Sequence, residues 1–164
     1  MKFVLDGMLG KLARWLRMMG HDATYSNSFD DEELLSVAKA ENRILLTRDF
    51  ALYQQATSKN IETYYVEGNT ETERLAELSL RFNLPLKIDL EKSRCPKCGT
   101  QLEYVAKAQI ESEVEQNTLL YYDTFWKCSK CGKVYWQGAH WSKIRATLEK
   151  ATQMLERKKG LKQP

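Results

Sequence analysis

Two hydrophobic rhythms alternate along the first ninety residues. Short apolar runs, "KFVLD" at 2–6, "DATYS" at 22–26, "RILLTRD" at 43–49 and "NIETYYVEG" at 60–68, read as strands. The segments between them carry the helical period. In "GMLGKLARWLRMMG" Leu9, Leu12, Leu16 and Met19 share one face, Lys11, Arg14 and Arg17 fall on another, and Gly20 supplies a stop. "FDDEELLSVAKAEN" opens with Asp30 as N-cap and Glu33 three residues on, the pattern of a capping box, and its acidic first turn suits the positive end of a helix dipole. "FALYQQATSK" reads as a third helix. "TETERLAELSLRF" reads as a fourth, opened by Thr70 and Glu73 in the same capping pattern, and Pro85 closes the segment. Strands separated by helices of this length pair in parallel through right-handed crossovers. The expected architecture is α/β, a three-layer sandwich with a mostly parallel sheet over residues 1–88.

From about Leu86 the pattern changes. "LKIDLEKSR" resembles a linker, and two cysteine pairs then frame a segment rich in Tyr, Trp and Thr. "SKIRATLEKATQMLERKKG" is a final helix with Ile144, Leu148, Ala151 and Leu155 on one stripe and Lys143, Lys150 and Arg157 along a flank. The expected division is 1–88, 89–141 and a basic C-terminal helix and tail at 142–164.

All four cysteines belong to CxxC pairs, Cys95 and Cys98 in "CPKCG" and Cys128 and Cys131 in "CSKCG", 29 residues apart. A CxxCG turn lets two thiolates converge on one ion while backbone amides point at the sulfurs. Two such turns supply the four ligands of tetrahedral Zn²⁺. Loop length opposes closure only logarithmically, so the long spacing is tolerated. Four thiolates leave no open position, which makes this a structural zinc in a small ribbon rather than a catalytic one.

Composition adds a charge asymmetry. Residues 1–92 hold 12 Lys+Arg against 15 Asp+Glu, residues 93–164 hold 13 against 7, and the whole chain of 164 residues is +3. A basic part joined to an acidic part suggests a polyanion held beside a site that needs carboxylates. With 43% apolar residues the chain can bury a core in one or two small domains. No apolar run approaches the ~18 residues of a spanning helix and no signal-peptide pattern opens the chain, so the expectation is a cytoplasmic protein with no membrane partner.

Candidate chemistry lies at the strand ends. Ligands of parallel α/β sheets bind beyond the carboxyl ends of the strands. Asp6, Asp49 and Glu67 each sit where an apolar strand ends, and Asp30 and Asp31 open a helix that follows another strand. Like charges crowded on one edge repel by of order 1 kcal/mol per close pair at moderate dielectric, and hard divalent ions relieve this. The plain alternatives are capping for Asp30 and Asp31, a turn at Asp6-Gly7 and simple exposure of Glu67.

"FVLDGMLGKLARWLRMMGHDATY", "DDEELLSVAKAENRILLTRD", "CPKCG" and "FWKCSKCGKVYWQGAHW" together resemble the mut-seven C-terminal RNase domain family over roughly residues 2–145. That resemblance implies a PIN-like nuclease fold with a C-terminal zinc ribbon and a Mg²⁺- or Mn²⁺-dependent ribonuclease. It puts acids at Asp6, at Asp31 or Asp30, and at Asp49. The fourth acidic position falls near Glu67, where "VEGN" departs from the usual Asp. It implies RNA, single-stranded, as partner, and homodimers by analogy. Lys11 and Arg14, just after Asp6, are candidate phosphate contacts or a solvated face, and Thr47 and Arg48 either orient Asp49 or, more weakly, touch phosphate. Trp136 and Trp141 belong to an aromatic set that either stacks on unpaired bases or fills the thin core of the ribbon, and His140, a general-acid or metal-ligand candidate by type, is read as a structural or RNA-contact residue because four cysteines already complete the zinc site. The rival reading is a non-catalytic RNA- or protein-binding module of the same shape.

Overall fold

The computed structural model describes residues 1–161, so residues 162–164 of the expected C-terminal tail lie outside the described residues. The first part runs β1 (Lys2–Leu5), α1 (Gly10–Met18), β2 (Asp22–Tyr25), α2 (Asp31–Ala40), β3 (Ile44–Thr47), α3 (Phe50–Ser58), β4 (Thr63–Tyr65) and α4 (Glu71–Phe82). The four strands form one parallel sheet in the order β2-β1-β3-β4, with Leu5 opposite Tyr25 on one side and Leu46 on the other. All four strands therefore end at the same rim.

Side-chain alternation splits the sheet between two cores. Phe3, Leu5, Ile44 and Leu46 face α1 and α4, packing on Leu9, Leu12, Leu16, Leu75 and Leu78. Val4 and Leu45 face the other way, onto Leu34, Leu35, Leu52 and Ala56 of α2 and α3. The sheet is thus the middle layer of three. Each fully buried leucine contributes about 2 kcal/mol of apolar transfer.

Both expected capping boxes form. Asp30 Oδ1 accepts from Glu33 N at 2.8 Å while Glu33 Oε2 accepts from Asp30 N at 2.9 Å, and Thr70 and Glu73 repeat the exchange. The helices end alike as well. Gly20 follows α1 at φ 90°, and Asn42, Asn60 and Asn83 follow α2, α3 and α4 at φ 52–56°, each in the left-handed region that stops a helix.

The second part is a three-stranded antiparallel sheet of β5 (Leu102–Val105), β6 (Phe125–Cys128) and β7 (Val134–Tyr135), with a short helix α5 (Gln116–Tyr121) between β5 and β6. The last helix, α6 (Trp141–Gly160), lies against α4. Its Leu148 and Ala151 are buried in the same core as Phe3 and Leu5, with Ile144 packed beside them. Lys143, Lys150 and Arg157 stay exposed, as the stripe predicts. No helix among the described residues is long and apolar enough to cross a membrane.

Arg17 departs from the expectation for its helix face. It is 5% exposed, whereas Lys11 and Arg14 face solvent. Its Nε donates to Ala23 O (2.8 Å), and its Nη1 donates to Pro96 O (3.0 Å) and Lys97 O (3.2 Å). The chain returns to the end of α1 at this point: Arg94 N donates to Arg17 O (2.9 Å) and Ser93 Oγ to Met18 O (2.6 Å). The segment that resembles a linker is therefore pinned to the first part. Burial pulls the Arg17 guanidinium below its ordinary range, while the charges of Cys98 and Cys95 hold it up.

Candidate active site and zinc ribbon

Asp6 follows β1 and is 5% exposed. Three donors hold its carboxylate. Oδ1 accepts from Met8 N at 2.8 Å, and Oδ2 accepts from Thr47 Oγ1 at 2.5 Å and from Arg48 N at 2.8 Å. Thr47, fully buried at the end of β3, also accepts from Asp49 N at 2.9 Å. One hydroxyl thus joins the two strand-end acids. Asp49 caps α3, its Oδ1 accepting from Leu52 N at 3.1 Å, and its Oδ2 has no partner among the described residues.

The other acids stand around the same rim. Asp30 and Asp31 are exposed at the start of α2, Asp30 being engaged in its capping box. Glu67 is exposed just past β4. Among the described residues no three of these acids form a metal-capable cluster; the four cysteines do, their ligand atoms all lying within 4.8 Å of one another. Asp6 and Asp49 are the pair tied together, through the Thr47 hydroxyl.

Arg48 is turned to the loop after β4. Its guanidinium donates to Glu67 O (3.1 Å), to Gly68 O and to Asn69 Oδ1 (3.2 Å), which ties the rim of β3 to that of β4. Glu77 of α4, which sequence reasoning passed over, holds the same loop from below. Buried, it accepts from Glu67 N (3.0 Å) and Gly68 N (2.8 Å). Burial raises its pKa, against the lowering effect of those two amides.

Beside the rim lies a cleft of about 920 Å³ between the start of α1, the start of α4 and the cysteine turns. Lys11 and Arg14 line it, joined by Arg74, Lys97 and Lys133, against the single acid Glu71. Met8 and Gly10, which follow Asp6 closely, form its near wall. A Cβ at Gly10 would sit 2.7 Å from the Tyr25 hydroxyl, so a side chain there must displace the Tyr25 ring. Directly after Asp49, Phe50 is 57% exposed and stacks on Tyr53 (5.9 Å, 28°) with Tyr65 edge-on to both.

The ribbon brings its four cysteines together. Cys95 and Cys131 Sγ lie 3.6 Å apart and Cys98 and Cys128 Sγ 3.4 Å apart. Tetrahedral zinc with Zn–S of about 2.3 Å needs sulfurs roughly 3.8 Å apart, so the donor set fits the ion. Each turn closes identically, Gly99 N on Cys95 O and Gly132 N on Cys128 O, with both glycines left-handed at φ 79° and 74°. Burial opposes ionisation of Cys98, yet the donors of Thr100 prevail and bring its thiol down to about 6. Burial pushes Cys128 up to about 11. Trp136, His140 and Trp141 meet on the side of the ribbon that faces α1 and α6, where Trp141 Nε1 donates to Trp136 O (3.2 Å).

A parallel α/β unit with acids on its carboxyl rim, fused to a four-cysteine ribbon, defines a two-part class of protein. The Mut7-C RNAse domain family matches residues 1–148, and the chain belongs to that family. Its membership points to a nuclease-like function with RNA as the substrate class. No curated protein and no solved structure matches the chain.

Proposed function

We propose that the chain is a divalent-metal-dependent ribonuclease that hydrolyses phosphodiester bonds of single-stranded RNA at the carboxyl rim of its parallel sheet. The observation that carries this reading is the shared hydroxyl of Thr47, which holds the Asp6 carboxylate at 2.5 Å and the Asp49 amide at 2.9 Å. An all-oxygen donor set suits Mg²⁺ or Mn²⁺, and because these ions keep several waters they need few protein ligands. Asp6 and Asp49 would hold the ion, with Asp31 or Asp30 and Glu67 completing the donor set. A bound ion would supply an activated water and neutralise charge on the phosphate.

The chain's own residues do the rest. Three donors fix the Asp6 rotamer before any ligand arrives, so no ordering cost falls on binding. Capping of α3 fixes Asp49 in the same way. Arg48 and Glu77 keep the β4–α4 loop at a constant distance from the rim. Lys11, Arg14, Lys97 and Lys133 offer the cations that a phosphate backbone requires, and the ribbon stapled by zinc carries two of them.

A second reading, a non-catalytic RNA-binding module, draws on the rim acids forming no cluster of three among the described residues. One experiment separates the two. Asp6→Asn and Asp49→Asn should each abolish Mn²⁺-dependent cleavage of a labelled single-stranded RNA while leaving RNA affinity and zinc content unchanged. Cleavage at an undiminished rate in both variants would overturn the nuclease reading, and metal-independent binding with no turnover in the parent would favour the second.

A further inference from the structure

Next to the basic cleft, the ribbon, α1 and α6 enclose a second cavity of about 160 Å³, partly open to solvent. Four aromatic rings, Trp126, Tyr135, Trp136 and Trp141, share its walls with aliphatic side chains such as Leu90, and Arg94 and His140 add polar groups. Pro96 and Tyr135 line both this chamber and the cleft, so the two share a wall. Resting on the ribonuclease reading, we propose that the chamber is a nucleobase pocket that takes a single-ring base, uracil or cytosine, splayed from an RNA strand whose phosphates run along the cleft.

Size selects the ring. A dry cavity of about 150 Å³ accepts a benzene-sized molecule, so this one admits a pyrimidine ring, its exocyclic groups reaching the open side, but not a stacked purine pair of rings. Charge selects the chemistry. Aromatic cages of this kind also bind quaternary ammonium groups, but Arg94 places a cation in the wall and the lining residues include no carboxylate, so a cationic guest is repelled. Hydrogen bonding points the same way. Arg94 Nη1 donates to Gly99 O at 3.0 Å, while its Nε is buried with no acceptor. The buried Nε is out of a guest's reach, but Nη2 has no hydrogen-bond partner among the described residues and is not buried, so a pyrimidine keto oxygen at this wall meets a free, charged donor there. Continuity supplies the route: Lys97 and Lys133 flank the shared wall from the cleft side, where a backbone would lie as its base turns inward.

The test uses the full zinc-loaded chain and fluorescein-labelled single-stranded oligoribonucleotides, measured by anisotropy without added divalent ions, so that binding is read apart from cleavage. One abasic ribonucleotide is moved along the strand. At one position its presence should weaken binding about tenfold, and at that position uracil or cytosine should bind more tightly than adenine or guanine. Leu90→Phe, which fills the chamber, and Arg94→Met, which removes the donor, should each erase that dependence, with melting temperature and zinc content checked against the parent. No sensitive position, or a penalty of full size in both variants, overturns the pocket. The nuclease reading fails separately, through absence of metal-dependent cleavage by a chain that still binds base-specifically. Failure to bind any RNA removes both.

Discussion

Thr47→Val offers the sharpest test of how the rim is built. Valine keeps the shape of threonine, so the fully buried packing at the end of β3 is retained and only the hydroxyl is lost. Two hydrogen bonds go with it: the 2.5 Å bond to the Asp6 carboxylate and the 2.9 Å bond from Asp49 N. A bond to a charged group contributes about 1.5–3 kcal/mol and a neutral one about 1 kcal/mol. The expected destabilisation is therefore about 2.5–4 kcal/mol, a fall in Tm of roughly 5–15 °C for a chain of this size. Thr47→Ser keeps the hydroxyl and should lose far less. Urea unfolding at neutral pH, monitored by tryptophan fluorescence, gives both values, and a cleavage assay below each variant's transition reads the effect on turnover. Asp6 retains Arg48 N and Met8 N in Thr47→Val, so turnover should fall without vanishing. If Thr47→Val and Thr47→Ser melt within 0.5 kcal/mol of each other, the hydroxyl does not join the two acids, and the positional basis of the rim is wrong.

Removing zinc with a strong chelator, or replacing Cys98 by Ser, should unfold the ribbon, whose fully buried apolar side chains besides the cysteines and Leu102 are Ile110 and Phe125, and the loss should show as a red shift of tryptophan emission. Binding energy of order 10 kcal/mol is at stake there, more than those few side chains supply. Burial, helped by the N-terminal amine, depresses the His21 pKa to about 4, so the folded state keeps it neutral while the unfolded chain takes a proton near 6.5. Stability should accordingly be full above pH 6.5 and decline as pH falls toward 4. The decline should be about 1–2 kcal/mol once partial exposure is allowed for, and His21→Leu should flatten it in urea titrations across that range. Replacing Lys97 and Lys133 together by Ala should lower the slope of log K against log salt by about 0.7 per lost phosphate contact, and an unchanged slope would take both lysines off the RNA path.

Much of the first part is legible because its signals are local. Short apolar runs at Phe3–Leu5 and Ile44–Leu46 marked the two central strands, and the pairs Asp30 with Glu33 and Thr70 with Glu73 marked helix starts that the structure reproduces. Gly20 marked a helix end, and the same message was present but unread in Asn42, Asn60 and Asn83, which stop the next three helices in the left-handed conformation. What could not be read depends on distant parts of the chain meeting. Arg17 shares a helix face with Arg14, and only the return of residues 92–97 to the end of α1 turns it from a solvent-facing cation into a buried clamp. Glu77 sits beside the apolar positions Leu75 and Leu78, and its partners are amides nine and ten residues earlier. The cleft escapes a linear reading for the same reason, since α1, α4 and both cysteine turns contribute to it. Within the rim, the candidate acids could be named from strand ends and Thr47 from its place beside Asp49, but the bond by which the same hydroxyl reaches the Asp6 carboxylate on another strand could not.

The most direct measurement is anomalous diffraction from crystals equilibrated with millimolar Mn²⁺. A manganese peak should lie at the carboxyl rim, about 2.1–2.2 Å from a carboxylate oxygen of Asp6 and of Asp49, and should vanish in Asp6→Asn. A rim free of manganese in crystals of a chain that still cleaves RNA in Mn²⁺, or a manganese peak that persists unchanged in Asp6→Asn, would contradict it.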